Sequence, residues 1–286
     1  MQCYICQNKK ISQMDGHEYK AIGGIYRLYE CACCGAAFTM PLPSDSILEQ
    51  FYNDSFNYDW YRDHYSAKLK DCRMRVQEYR ELLGNKVLDY GGGMGYFAKA
   101  VTESGREAIT YDPYAANISL GVTKWDSVVS LHALEHSNNL NSTIQNMKNH
   151  LKPGGNIILA VPNYSGLGYR TMGMGWVWAQ PPILHLFHFT AQSLIVLLEK
   201  HGFINIRVSY HDRWDANTYC DIGNVDKTRA MDGQWGNGPL TKYSIYRKYV
   251  AWRNARYRFD GLNKSLSARP ESPDQLAELQ ISAVMG

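Results

Sequence analysis

The residues best able to do chemistry in this 286-residue sequence are its cysteines, five of which, out of seven, fall within the first 34 residues. Cys3 and Cys6 form one C-x2-C pair and Cys31 and Cys34 a second, with 24 residues between them. Two short knuckles of this kind can present four thiolates to one Zn2+ ion, which takes sulfur ligands in a tetrahedron. Gly35, directly after Cys34, lets the knuckle backbone turn close to the sulfur atoms. Cys33 could stand in for Cys34, although C-x-C spacing is less usual, and a redox-active C-x2-C pair is the competing reading. The odd total argues against a disulfide framework and leaves Cys72 and Cys220 as isolated thiols. A four-thiolate site has no position open to water. Its expected work is to fold ~40 residues too few to make a core of their own.

A second concentration is Asp89-x-Gly91-x-Gly93-x-Gly95, placed between a strand-like run and a helical one. Glycines there let the chain turn sharply and let a ligand approach the backbone. The dinucleotide pattern G-x-G-x-x-G fails, because Tyr96 stands where its last glycine should be. Asp112, 19 residues after Gly93, ends the next strand, where a carboxylate can accept both hydroxyls of a ribose. Asp126 instead begins its strand, on the edge away from such a ligand, and reads as a solvated strand start. Histidine titrates near neutrality and is the default general base, which brings in His185, His188 and His136.

These residues need a scaffold, and the apolar pattern supplies one. Residues 86–90, 107–111, 127–131, 156–161 and 203–209 read as strands, and 96–104, 139–150 and 191–201 as helices, with Lys-Pro-Gly-Gly at 152–155 as a turn. Thr190 reads as the cap of the last helix and Gly202 as its end. Alternation at this rhythm predicts an α/β fold with a parallel, doubly wound sheet. Before it, residues 1–42 read as a zinc ribbon, with strands drawn from residues 19–30, and 43–84 as a Tyr-rich helical connector. Leu69, Arg73, Val76, Tyr79, Leu82 and Leu83 share one face of that connector. The sheet domain is expected over 85–240, a basic helix with Arg247, Lys248, Arg253, Arg256 and Arg258 within 241–264, and a polar tail over 265–286 with a short helix at 275–285.

Together the glycine loop, Asp112, the block from Asp126 through Glu135-His136, Leu151-Lys-Pro-Gly-Gly155 and His185-Leu-Phe-His-Phe-Thr190 resemble the class I S-adenosylmethionine (SAM)-dependent methyltransferases. The resemblance covers roughly residues 85–210, and the ribbon and connector fit a bacterial subgroup acting largely on sugars and other small metabolites. It implies a Rossmann-like sheet in which Gly91, Gly93 and Gly95 wrap the methionine end of SAM, Asp89 fixes its amino group and Asp112 its ribose. Ser130, Leu131 and His132 would lie by the sulfonium. His185 falls in the connection that roofs the acceptor pocket. Sugar C-methyltransferases of that group carry Tyr-His-Glu-His there, and only the last histidine is kept in Pro182-Ile-Leu-His185, which favours O- or N-methylation. Tyr164, Tyr169, Trp176 and Trp178 sit on a segment long enough to act as a lid. Only 13 residues separate Asp112 from Asp126, too few for a crossover and a strand, so the third strand should be missing or vestigial and residues 114–122 should cover the adenine.

The predicted function is methyl transfer to a small-molecule acceptor, with SAM and a structural Zn2+ as cofactors. An RNA methyltransferase is the rival, because zinc ribbons occur in such enzymes and the basic helix interleaves Tyr246, Tyr249, Trp252 and Tyr257. A net charge of only +3 does not ask for nucleic acid. No apolar run approaches the ~18 residues a membrane span needs, and the first residues do not read as a signal peptide, so a cytoplasmic protein is expected.

Overall fold

A computed structural model describes residues 1–21, 23–55, 62, 64–113, 120–172, 184–211 and 272–286. Strands β1 (Ile11–Ala21), β2 (Gly24–Cys31) and β3 (Ala37–Met40) form an antiparallel meander. Helices α1 (Asp45–Ser55) and α2 (Tyr65–Glu78) follow. Then come β4 (Lys86–Tyr90), α3 (Tyr96–Glu103), β5 (Glu107–Tyr111), β6 (Trp125–Leu131), α4 (Leu140–His150) and β7 (Leu151–Pro162). The chain continues through α5 (Leu167–Met172), β8 (Phe187–His188), α6 (Ala191–Lys200), β9 (Phe203–His211) and β10 (Glu278–Met285).

The large sheet runs β5-β4-β6-β7-β10-β9. Its first four strands are parallel, because each is reached by a crossover, but β10 lies antiparallel between β7 and β9. The sheet is therefore mixed, not parallel throughout. Alternate residues of each strand feed the two faces. Val87, Val129 and Ile158 meet α2 and α3 through Leu69, Val76, Tyr79, Phe97 and Val101. Leu88, Val128, Ile157 and Leu159 meet α4 and α6 through Ile144, Met147, Leu194 and Leu197. Caps set where the helices begin. Asn139 accepts a bond from Ser142 N at 3.1 Å, a contact of the kind worth about 1 kcal/mol, and Thr190 and Ser193 form a reciprocal capping box.

Among the described residues no strand pairs with the outer edge of β5, as the short spacing requires. Two expectations are corrected. Lys152–Gly155 is not a turn before the strand but a bulge within β7, since the register jumps from Trp125↔Leu151 to Ser127↔Asn156. Residues 278–285 are neither a tail nor a helix. Leu279, Ile281 and Ala283 alternate with polar residues, and the strand fills the gap between β7 and β9, where it is buried almost throughout. The aromatic stretch at 56–61, the loop at 212–240, Cys220 and the basic segment 241–264 lie outside the described residues.

The ribbon is joined to the rest rather than appended to it. β3 pairs with β8, placing Ala37 opposite His188 and Phe38 opposite Phe187. Cys3, Ile5 and Phe38 lie in the same apolar core as Leu88, Ile157 and Leu194. No described helix is long and apolar enough to cross a membrane.

Candidate functional site

The four ribbon cysteines converge. The Sγ atoms of Cys3, Cys6, Cys31 and Cys34 all lie within 4.8 Å of one another, with Cys3–Cys34 at 3.7 Å and Cys6–Cys31 at 3.5 Å. Those two separations are near the ~3.8 Å edge of a tetrahedron with ~2.3 Å zinc–sulfur bonds, and far above a disulfide length. Cys34 belongs to the cluster and Cys33 is exposed, which decides between them. The hydrogen bond from Cys34 holds the Cys3 thiol down to about 5, and the same pairing, with burial, pushes Cys34 up.

The glycine loop turns off the end of β4. Gly91, Gly93 and Gly95 all have positive φ, at 75°, 51° and 74°. A Cβ on Gly91 would stand 2.4 Å from that of Ala133, so the loop touches the end of β6 only because it has no side chain. A Cβ on Gly92 would stand 2.2 Å from Asp89 Oδ2. Asp89 is thus sealed under the loop, accepting from Ala98 N at 3.2 Å and Thr110 Oγ1 at 3.3 Å. Burial pushes its carboxyl up to about 7 against those two donors. Asp112, at the end of β5, accepts from Gly93 N at 2.9 Å, so its carboxylate borders the loop. Asp126 lies at the opposite edge, where it ties Lys86 N and Lys152 together and has a structural role.

β6 ends at Leu131, and His132 follows it with φ 51°. A one-turn 3-10 helix, Leu134–His136, comes next. His136 Nδ1 bonds the Leu184 carbonyl at 2.8 Å, and Leu186 N donates to the Glu135 carbonyl at 2.8 Å. These bonds draw the His185 ring to 4.7 Å from that of His136. The His188 ring is 6.1 Å from His185 and 5.5 Å from Tyr164, whose hydroxyl donates to Tyr169 at 2.9 Å. All three expected histidines therefore gather in one cluster, and His136 belongs to the turn that starts from Ala133, the residue Gly91 meets. Their segment leans on the ribbon through Thr39 N to Leu186 O at 2.9 Å and Thr190 Oγ1 to Cys34 O at 2.7 Å. Trp176, Trp178 and residues 114–119 lie outside the described residues.

Sequence reasoning missed a buried chain of charge beneath this site. Arg75 donates to both oxygens of Glu278, at 3.1 and 2.5 Å, and Glu278 Oε2 also bonds His132 Nε2 at 2.9 Å. His132 Nδ1 is 3.6 Å from Glu135 Oε1. Burial opposes charge on His132, but its contacts with Glu135 and Glu278 outweigh that and hold its pKa up. Burial likewise opposes charge on Glu278, and the Arg75 guanidinium and His132 hold it well below the usual carboxylate range. The usable signal was the period-two alternation that starts at Glu278. Arg73, placed on the buried face from spacing, is half-exposed and pairs with Glu103, while Arg75 is the buried residue.

Residues 61–208, more than half of the chain, match the family model described as a methyltransferase domain. A search of curated proteins finds no match. Among solved structures, phosphoethanolamine N-methyltransferase 2 of Haemonchus contortus, crystallised with S-adenosylhomocysteine, is 14% identical with a TM-score of 0.50, covering 95% of this chain and 72% of that one. A SAM-dependent methyltransferase of Thermotoga maritima, described as a possible histamine N-methyltransferase, is 15% identical with a TM-score of 0.45, covering 84% of this chain and 99% of that one. One from Archaeoglobus fulgidus is 18% identical with a TM-score of 0.43, covering 76% and 94%.

Proposed function

The chain belongs to the methyltransferase-domain family and is a SAM-dependent methyltransferase, and we propose that it methylates an oxygen or nitrogen of a small, sugar-like or natural-product acceptor. The observation that carries this reading is the enclosed histidine cluster, joined to the glycine loop through the turn at Ala133. His185 and His188 are only 4% and 5% exposed, which suits an acceptor that can be surrounded rather than a polymer laid across a face.

SAM supplies an electrophilic methyl group when bound. The chain's part is to bind, orient and handle the proton. The backbone of Gly91, Gly93 and Gly95 would let the cofactor close on the loop, with Asp112 placed to hold its ribose hydroxyls and Asp89 to answer its amino group from beneath the loop. Leu131 and His132 border the reacting side. A hydroxyl acceptor must lose a proton as the C–O bond forms, and His185 activates it, with His188 and His136 close enough to share that proton. Holding the nucleophile ~3–3.5 Å from the methyl carbon and keeping water out supplies much of the rest. The four cysteines hold a structural Zn2+ in this reading, which fits a reducing, cytoplasmic setting.

The test is incubation of the protein with methyl-labelled SAM and a fractionated cell extract. Label is expected in the low-molecular-weight fraction, falling ~100-fold or more in His185→Ala while SAM binding persists. Label that disappears on ribonuclease treatment would replace the small acceptor with RNA.

A further inference from the structure

Glu135 is 1% exposed, and neither of its carboxylate oxygens accepts a hydrogen bond. A buried carboxylate left this way costs several kcal/mol unless a cation meets it. His132 Nδ1, whose charge Glu135 helps to hold, stands 3.6 Å away, beyond hydrogen-bond reach, on a ring already bonded to Glu278. Two further imidazoles stand close to it. One ligand atom from each of Glu135, His136 and His185 lies within 4.8 Å of the others.

We infer that Glu135, His136 and His185 form a second metal site, open on its acceptor side, that takes a first-row divalent cation. The donor set of two imidazoles and one carboxylate suits Zn2+, Fe2+, Mn2+ or Co2+ rather than the soft-ligand chemistry of the ribbon. His136 is already oriented for it. Its Nδ1 is committed to the Leu184 carbonyl at 2.8 Å, which leaves Nε2 as the ligand atom, the arrangement usual for metal-binding histidine. Around a single ion at ~2.1 Å, three ligand atoms stand about 3–3.4 Å apart, so the atoms, now within 4.8 Å of one another, would have to draw in by up to about 1.5 Å. Ala133, two residues before Glu135, is the residue Gly91 touches, so the ion would sit beside the cofactor loop.

Three protein ligands leave at least one coordination position vacant. Its role there rests on the methyltransferase reading and, with His185 and His136 engaged as ligands, moves the activation of the acceptor from His185 to the ion: an acceptor oxygen that binds the ion loses its proton more readily, to His188 or solvent. The methyl carbon then leaves sulfur, which keeps the bonding electron pair as a thioether, and joins that oxygen. The site itself does not depend on that reading.

The decisive experiment titrates Co2+ alone into the purified full-length chain with its ribbon zinc in place, without SAM or acceptor. Expected are one further equivalent bound, ligand-field bands without an intense thiolate charge-transfer band, and a spectral change on adding azide, which a closed four-thiolate site cannot give. Glu135→Gln, which keeps the side-chain shape, and His185→Ala should each weaken Co2+ binding at least tenfold while ribbon zinc stays at one per chain. His150→Ala, at the end of α4 and outside the cluster, should bind as the wild type does. Absence of the bands in the wild type, bands unresponsive to azide, or bands that survive both variants would overturn the site. SAM binding, measured separately by calorimetry, reports on the methyltransferase reading alone.

Discussion

The four-cysteine cluster and the Glu135–His136–His185 cluster sit in one molecule and are built on opposite plans. The cysteines come from two knuckles of a single ribbon and bring four sulfur atoms within 4.8 Å of one another, a set that would fill every position around a Zn2+ ion and leave nothing open. The second cluster draws its residues from two distant connections, both at the edge of the large sheet where the glycine loop lies, and supplies three ligands. The first suits building and the second suits chemistry. They are also coupled, because the segment that carries His185 and His188 is held from one side by the β6 connection and from the other by the ribbon. β3 pairs with β8, and the Cys34 carbonyl receives the Thr190 hydroxyl. On the proposed reading, the comparison teaches that the ribbon would shape the acceptor wall without touching the reaction.

The largest expected effect comes from breaking the closed cluster. Structural zinc contributes about 10–16 kcal/mol in isolated zinc-finger peptides, as much as an entire domain's stability. Cys34→Ser should therefore lose the bound zinc and abolish the single cooperative melt of the chain, not only the ribbon's share, because ribbon and sheet share one core. Zinc content, a near-ultraviolet circular dichroism melt and SAM binding measure this together. A variant without zinc that still melted cooperatively and bound SAM normally would make the ribbon an appendage and end the coupling argument.

Next in size is the charge chain that supports the open cluster from below. Glu278→Gln leaves Arg75 buried without its bidentate partner and should cost ~3–5 kcal/mol, read from the urea midpoint. The size of that loss should follow pH in a defined direction. His132 has its pKa held up in the folded protein, so its contribution is complete below the unfolded value near ~6.5 and fades as pH rises through the folded one. Glu278 has its pKa held down, so its contribution is present above ~4.3 and is lost as pH falls. The gap between wild type and variant should be widest around pH 5–6.5 and narrow in alkali. A gap that grew with pH would mean His132 is not part of the support.

The two regions also differ in how openly the sequence announced them. The cysteine ligands were readable as spacing, because two C-x2-C pairs are local and need no partner from elsewhere. The glycine loop was readable for the same reason, and so was the outer edge of β5 left unpaired among the described residues, since 13 residues cannot hold a crossover and a strand. Glu278 was not readable. Its meaning depends on β10 inserting between β7 and β9 and on a helix more than 200 positions earlier supplying Arg75, and neither is a local pattern. Glu135 lay within a recognised block, yet only the packed structure reveals that its carboxylate is buried with no hydrogen bond. Local chemistry is legible in a sequence, while long-range polar pairing becomes visible only once the sheet order is known.

The smallest effect tests where the open region ends. Asp89 lies under the glycine loop with its carboxyl pushed up to about 7 by burial. Unfolded, it would titrate near ~3.9, so the folded state holds an extra proton between those values. Its effect on stability is therefore opposite to that of Glu278: stability is present at low pH and declines as pH rises through that window toward 7. If this carboxylate answers the cofactor's ammonium, SAM binding must draw its pKa down and release a proton. Affinity should then rise with pH by at most tenfold per pH unit until about 7 and level off above it. Calorimetry at about pH 6.5 in two buffers of different ionisation enthalpy should show that proton in the wild type and none in Asp89→Asn. Binding without proton release in the wild type would move Asp89 out of the cofactor site and make it a support of the loop, as Asp126 is of the opposite edge.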